Sequence, residues 1–78
     1  MIGDLVRIEW LDILSCDDWE TWDVAVNTEP AVCYIVGWLA HDDPRKVVIV
    51  HCKSDKDVHG YHVIPKACVV KTTRLSDA

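Results

Sequence analysis

The chain has 78 residues, a net charge of −5 and an apolar content of 50%. This length has room for one domain, and so small a domain buries only about 60% of the surface that its unfolded chain exposes. Four tryptophans are difficult to enclose in such an interior, and tryptophan is enriched where proteins meet partners. The composition therefore indicates one domain with apolar surface left for a ligand, a partner or a second copy.

Charge is divided unevenly along the chain. Residues 1–43 contain ten acids and one base, which gives −9, whereas residues 44–78 contain seven bases and three acids, which gives +4. The acidic first half repels phosphate backbones, so we expect no nucleic-acid partner. The basic second half could hold a small anion, or the two halves could neutralise each other.

The sequence also predicts where the protein acts. No stretch approaches the ~20 apolar residues needed to cross a bilayer, and residues 1–4 lack the features of a signal peptide. We therefore expect a cytoplasmic protein without a membrane partner. In that reducing compartment the cysteines stay free, and their spacing, with no C-x-x-C pair, favours thiols packed in the core. They are Cys16, Cys33, Cys52 and Cys68.

Apolar and polar residues alternate in the manner of β-strands. In the first predicted strand, over residues 3–12, Val6, Ile8 and Trp10 share one face. Further strands are predicted over residues 31–40, 46–53, 61–64 and 68–75. Gly37 within the second strand indicates a bulge or a strong bend, as occurs where a sheet curls.

One short helix is predicted between the first and second strands. Ser15 resembles the start of a capping box, and acids follow it where the helix dipole is positive. Trp19, Trp22 and Val26 recur at helical spacing. We expect about two to three turns of helix whose tryptophans form one apolar stripe.

The order of these elements is that of an SH3-like barrel. Gly3-Asp4-Leu5-Val6 resembles the first strand of Tudor-type barrels, and Ile64-Pro65-Lys66 is similar to the step before the last strand of SH3-like domains. With the acidic tryptophan segment and Val36-Gly37-Trp38-Leu39, they also resemble small proteins encoded by bacteriophages. This resemblance implies a mostly β, five-stranded antiparallel SH3-like (Tudor/Sm-type) barrel over residues 1–78, with one short helix between strands 1 and 2. A phage-encoded copy would act in the host cytoplasm.

Catalysis and metal binding find little support in the sequence. His51 and Cys52 point to opposite faces of a strand, and His59 with His62 would make half of a zinc site that lacks its second half. There is no G-x-S-x-G motif and no glycine-rich phosphate loop. We expect no enzyme activity, no metal and no cofactor.

Three binding functions remain open. In the first, the protein counters host defence by sequestering a nucleotide-like signal, a small ring-bearing anion, at a subunit interface. An aromatic platform and a basic clamp would form that site, and the candidates are Trp38, Tyr61, Lys66, Lys53 and Arg45, with His62 as a hydrogen-bonding neighbour. In the second, the protein docks on a host protein as an inhibitor or adaptor, through Trp19, Trp22, Asp18 and Glu20. In the third, it is a structural subunit of a larger particle.

Self-association is the last expectation. The second strand is apolar on both faces, and a small sheet can cover only one of them. We therefore expect a homo-oligomer, most simply a dimer. Trp38 has two open roles, as core beneath the helix or as a platform for a ligand ring.

Overall fold

Local sequence patterns account for most of the elements in the computed structural model, which describes residues 2–76. The strands are β1 (Leu5–Asp12), β2 (Ala31–Asp42), β3 (Lys46–Lys53), β4 (Val58–Pro65) and β5 (Val69–Ser76). One helix, α1 (Trp22–Asn27), lies between β1 and β2, and a 3₁₀ turn (Lys66–Cys68) lies between β4 and β5. The predictions of five strands and of one short helix between the first two are confirmed.

All five strands belong to one antiparallel sheet with the order β4-β3-β2-β1-β5. The first and last strands pair with each other, so residues from both halves of the chain meet at β1. The edge strands β4 and β5 are not joined, and the sheet formed by the described residues is open. A mostly β, antiparallel fold is thus established, whereas closure into a barrel stays a prediction.

One face of the sheet carries the core. It consists of Val6, Ile8, Leu39, Val47, Ile49 and Ile64, each at most 4% exposed. These side chains come from four strands, and Val69 of β5 packs against them. The rings of Trp10 in β1 and His62 in β4 lie 6.0 Å apart between centroids, although three strand spacings, about 14 Å, would separate these strands in a flat sheet. The sheet is therefore strongly curled around this inner face.

Gly37 allows β2 to approach β3 closely. A Cβ atom at Gly37 would lie 2.4 Å from the carbonyl oxygen of Val50 and 2.5 Å from Cγ2 of Ile49. The irregularity in the β2–β3 ladder falls later, between Leu39 and His41. The bulge predicted at Gly37 is thus displaced along the strand, and the glycine is required by close packing.

The helix is shorter than predicted and starts later. Thr21 is its N-cap, and the Thr21 side chain accepts a hydrogen bond from the Val24 amide at 3.3 Å. Asp and Ser favour turns over helix interiors, and a helix of 6 residues is marginal without packing. No residue of α1 is buried. Trp19, which precedes α1, is 100% exposed and Trp22 is 87% exposed, so of the two roles left open for Trp38 the one as core beneath these tryptophans is excluded.

The described part of the chain contains no helix with the length and apolar character needed to cross a membrane.

Candidate binding site

Three side chains form a row on the face of the sheet opposite the core. Trp38 in β2 is paired with Val50 in β3, and Val50 is paired with Tyr61 in β4. Directly paired residues project to the same side of a sheet. Val50 is 5% exposed and Tyr61 is 64% exposed, while Trp38 is half-buried. We call this row, Trp38, Val50 and Tyr61, the outer row.

The ammonium group of Lys53 lies beside the outer row. The Nζ atom of Lys53 lies 5.1 Å from the ring centroid of Trp38. An exposed cation–π contact of this kind is worth about 0.5–1 kcal/mol. The Lys53 side chain is exposed, so its ammonium group is free to pair with an anionic ligand. An aromatic ring and a cation, both candidates from the sequence, therefore lie together, whereas their role in binding a ring-bearing anion stays a prediction.

Two further candidates, Arg45 and Lys66, lie at the other end of β3. The Lys66 amide donates a hydrogen bond to the Arg45 carbonyl at 2.9 Å, and the Lys66 ammonium forms an ion pair with Asp42. The length of β3 puts this turn roughly 23 Å from Lys53 along the strand. A single chain therefore does not gather the three cations at one point.

Asp43 organises the turn between β2 and β3. Its Oδ2 atom lies 2.6 Å from His41 Nε2, and its Oδ1 accepts hydrogen bonds from the amides of Arg45 and Lys46 at 2.7 and 2.8 Å. The hydrogen bond with His41, followed by the two amide bonds, lowers the pKa of Asp43 from 3.8 to about 2. The polar turn that carries Arg45 is therefore held by an ionised carboxylate at neutral pH.

His62 lies on the inner face and not beside Tyr61. Its partner across the ladder is the core residue Ile49. There, His62 Nδ1 lies 2.8 Å from Nε2 of His51, and the two rings are nearly perpendicular with centroids 4.8 Å apart. His59, which the sequence analysis placed with His62, pairs instead with Cys52.

Sequence reasoning missed this contact between His51 and His62. The two residues are 11 positions apart and belong to different strands. The available signal was their position two residues from a core-facing residue, Ile49 for His51 and Ile64 for His62, since alternate residues of a strand share a face. A shared face alone does not predict that the two rings meet, because this also depends on the register between β3 and β4.

The segment 13–30 projects from the sheet, and we call it the acidic arm. It contains five acids and no base. Trp19 is 100% exposed and Trp22 is 87% exposed. Asp18, Trp19 and Glu20 are among the residues that line a hollow of about 540 Å³, to which Trp22 does not contribute. The arm therefore presents acids and aromatic surface together, and three of the four candidate partner-binding residues line this hollow.

The cysteines differ from the predicted core thiols. All four are free, and only Cys33 and Cys68 are half-buried, whereas Cys16 and Cys52 are exposed. Among residues 2–76, no group of three or more His, Cys, Asp or Glu side chains is placed to hold a metal ion. The thiols thus divide into an exposed pair and a half-buried pair.

Comparison with known proteins yields no relative, because no protein-family model, curated protein or solved structure matches this chain. What the protein binds is therefore inferred from its own side chains.

Proposed function

We propose that this chain is a non-enzymatic binding protein that sequesters a small ring-bearing anion, such as a signalling nucleotide. The observation that carries the proposal is the placement of Lys53 against Trp38, with Tyr61 in the same outer row. As a phage-type protein, it would counter host defence by lowering the free concentration of the signal. The ligand is released unchanged.

The outer row supports a simple mode of binding. The ligand ring stacks on Trp38 or Tyr61, and stacking of a base on an aromatic side chain is worth about 1–3 kcal/mol. The anionic group pairs with the Lys53 ammonium, which is already beside the Trp38 ring. Tyr61 is 64% exposed, so its ring is accessible to a ligand.

A second copy would complete the site. Arg45 and Lys66 lie at the far end of β3 from Lys53 within one chain, so these cations converge only if a neighbouring chain supplies some of them. The exposed apolar side chains Val32, Tyr34 and Val36 on β2 supply a surface for self-association, at 52%, 62% and 52% exposure. The edge strands of the sheet, β4 and β5, are the places where a strand of another chain can add. A homodimer is the simplest such assembly, with each curled sheet forming an SH3-like barrel.

Calorimetry with cyclic and linear nucleotides tests the ligand. We expect one nucleotide class to bind, and we expect Trp38→Ala and Lys53→Ala each to weaken it at least tenfold. Lys56→Ala is the matched control, because Lys56 is exposed and belongs to the turn that follows β3. If no nucleotide binds the wild-type chain, or if Lys56→Ala is equally damaging, the proposal is wrong.

Complementation between subunits tests the shared site. Lys53→Ala and Lys66→Ala chains are prepared separately, then mixed under dissociating conditions and reassembled. If each site combines Lys53 of one subunit with Lys66 of its neighbour, a mixed dimer regains one intact site of two. If both lysines act within one chain, mixing restores nothing. Binding recovered at about a quarter of the wild-type stoichiometry is expected from random pairing, in which half of the dimers are mixed.

A second candidate function is favoured by the complete exposure of Trp19 on the acidic arm. The arm would dock on a basic patch of a host protein, with Trp19 and Trp22 as aromatic anchors and Asp18 and Glu20 as charged neighbours. A partner captured by the wild-type chain should be lost with Trp22→Ala and with Trp19→Ala, and retained with Trp38→Ala. Retention by both arm variants contradicts this function.

A further inference from the structure

The inner face carries a pair of histidines, His51 and His62, that neither the outer row nor the acidic arm uses. His51 Nε2 and His62 Nδ1 are 2.8 Å apart. Both side chains are exposed, so solvent and ions reach them. We call these two residues the histidine pair.

The backbone holds the pair in position. His51 and His62 belong to adjacent paired strands, and the neighbouring positions Ile49 and Ile64 are in the core at 0% and 2% exposure. Gly60 has a φ of 76°, and a Cβ atom there would lie 3.1 Å from Cδ2 of His51. A glycine at this position thus leaves room for the His51 ring to lie across β4 toward His62.

We propose that the histidine pair binds a divalent transition-metal ion, of the class of Ni²⁺, Cu²⁺ and Zn²⁺. Neutral imidazole is a preferred ligand of these ions. With metal–nitrogen bonds of about 2.0–2.1 Å and tetrahedral angles, two ligand nitrogens lie about 3.3 Å apart. The observed separation of 2.8 Å is about half an ångström shorter than this, and each ring must also turn so that its lone pair points at the ion and not at the other nitrogen.

The tautomers follow from which nitrogens face each other. Without metal, one of the two facing nitrogens donates its hydrogen to the other. With metal, His51 binds through Nε2 and His62 through Nδ1, and each ring carries its hydrogen on the other nitrogen. The ion therefore replaces one hydrogen bond by two coordinate bonds.

The other coordination positions come from outside this pair. No third His, Cys, Asp or Glu side chain of residues 2–76 completes a cluster around it. Water fills the remaining positions, or a second copy contributes its own pair. This two-ligand site is distinct from the closed four-ligand zinc site that the sequence argued against, and it does not depend on the proposed nucleotide site.

Titration of the full chain with Ni²⁺ tests the proposal, and Zn²⁺ serves as a second probe. We expect His51→Ala and His62→Ala each to weaken Ni²⁺ binding at least tenfold. His59→Ala is the matched control, because His59 is an exposed histidine of the same strand as His62 and lies three positions away. Circular dichroism checks that each variant keeps its sheet.

Three further measurements test the ligands and the assembly. In ¹⁵N spectra of the histidine rings, Zn²⁺ should shift Nε2 of His51 and Nδ1 of His62, and leave His59 unchanged. Repeating the titration with Cys16→Ser and Cys52→Ser removes the exposed thiols as competing ligands. Light scattering with and without Ni²⁺ then shows whether water or a second copy completes the site. Equal Ni²⁺ affinity in the wild type and the double variant of His51 and His62 overturns the proposal.

Discussion

The Lys53 ammonium lies 5.1 Å from the centre of the Trp38 ring, although the two residues stand on different strands. The contact places a mobile cation over an aromatic surface without burying the charge. It joins the basic second half of the chain to an aromatic residue of the acidic first half. This contact between the two halves of the chain lies beside the outer row, where we propose that the ligand binds.

Replacing Lys53 by Met should separate ligand binding from stability. The substitution keeps an apolar stem and removes the charge, so nucleotide affinity should fall at least tenfold. The free energy of unfolding should change by no more than about 1 kcal/mol, the usual worth of an exposed cation–π contact. Calorimetry and urea denaturation measure the two effects, with Lys56→Met as the control. A stability loss of several kcal/mol would assign Lys53 a structural role.

Gly37→Ala should destabilise the sheet. The added methyl group would lie 2.4 Å from the Val50 carbonyl oxygen, which belongs to a paired backbone and has little freedom to move. Overpacking of this kind costs about 1–3 kcal/mol, and thermal unfolding should occur several degrees lower. Gly60→Ala should destabilise for a different reason, because Gly60 has a φ of 76°, which alanine adopts only with strain, while its nearest neighbour is a His51 side-chain atom at 3.1 Å. A Gly37→Ala variant as stable as the wild type would show that β2 and β3 are further apart.

Trp19→Ala and Trp22→Ala should leave the fold almost unchanged. Both side chains are exposed on the acidic arm and contribute no buried surface to the core. Each substitution should change the free energy of unfolding by less than about 0.5 kcal/mol. Ile8→Ala, at a position that is 0% exposed, should cost about 2–5 kcal/mol. A loss above 2 kcal/mol at either tryptophan would mean that the arm packs on the sheet in solution.

Asp43 should titrate at about pH 2, below its ordinary pKa of 3.8. Because the folded-state pKa is depressed, the stabilisation from this carboxylate is complete above the ordinary value and is lost as the pH falls through the lower one. His41→Ala removes the largest cause and should raise the pKa of Asp43 part of the way back. The amide bonds from Arg45 and Lys46 remain. Carboxyl ¹³C titration measures both values, and an ordinary pKa in the wild type would refute the arrangement of the turn.

Thiol labelling should divide the cysteines into two pairs. Cys16 and Cys52 are exposed and should react with iodoacetamide first, whereas the half-buried Cys33 and Cys68 should react slowly. Mass spectrometry of peptides from a time course assigns each rate. Denaturant should abolish the difference, which controls for the intrinsic reactivity of each thiol. Uniform rates in the folded protein would contradict the described burial.

Local pattern alone was sufficient to predict the strands. Alternating Val6 and Ile8 identified β1, and the third strand was predicted with the bounds that it has. The β3–β4 turn is tighter than expected, because the Ser54 side chain accepts a hydrogen bond from the Asp57 amide at 3.1 Å. Consequently β4 begins three residues before the predicted start. Strand identity follows from neighbours in sequence, whereas a strand's ends also depend on such side-chain contacts.

The helix shows where local pattern misleads. Trp19 and Trp22 have helical spacing, yet only Trp22 lies within α1, and neither is buried. Spacing predicts which residues would share a helix face, but a short helix depends on packing to extend it. The residues of the helix and their immediate neighbours in sequence do not indicate whether another part of the fold offers a surface on which the helix can pack.

The candidate sites depended on tertiary structure. The sequence by itself determined which side chains are present: four tryptophans, a basic second half and histidines on predicted strands. The register of β3 with β2 and β4, and the curl of the sheet, decided that Lys53 meets Trp38 and that His51 meets His62. A shift of one residue would move a side chain to the opposite face. Pairing across strands is set by the whole sheet, and residues distant in the chain become neighbours only when that sheet has formed.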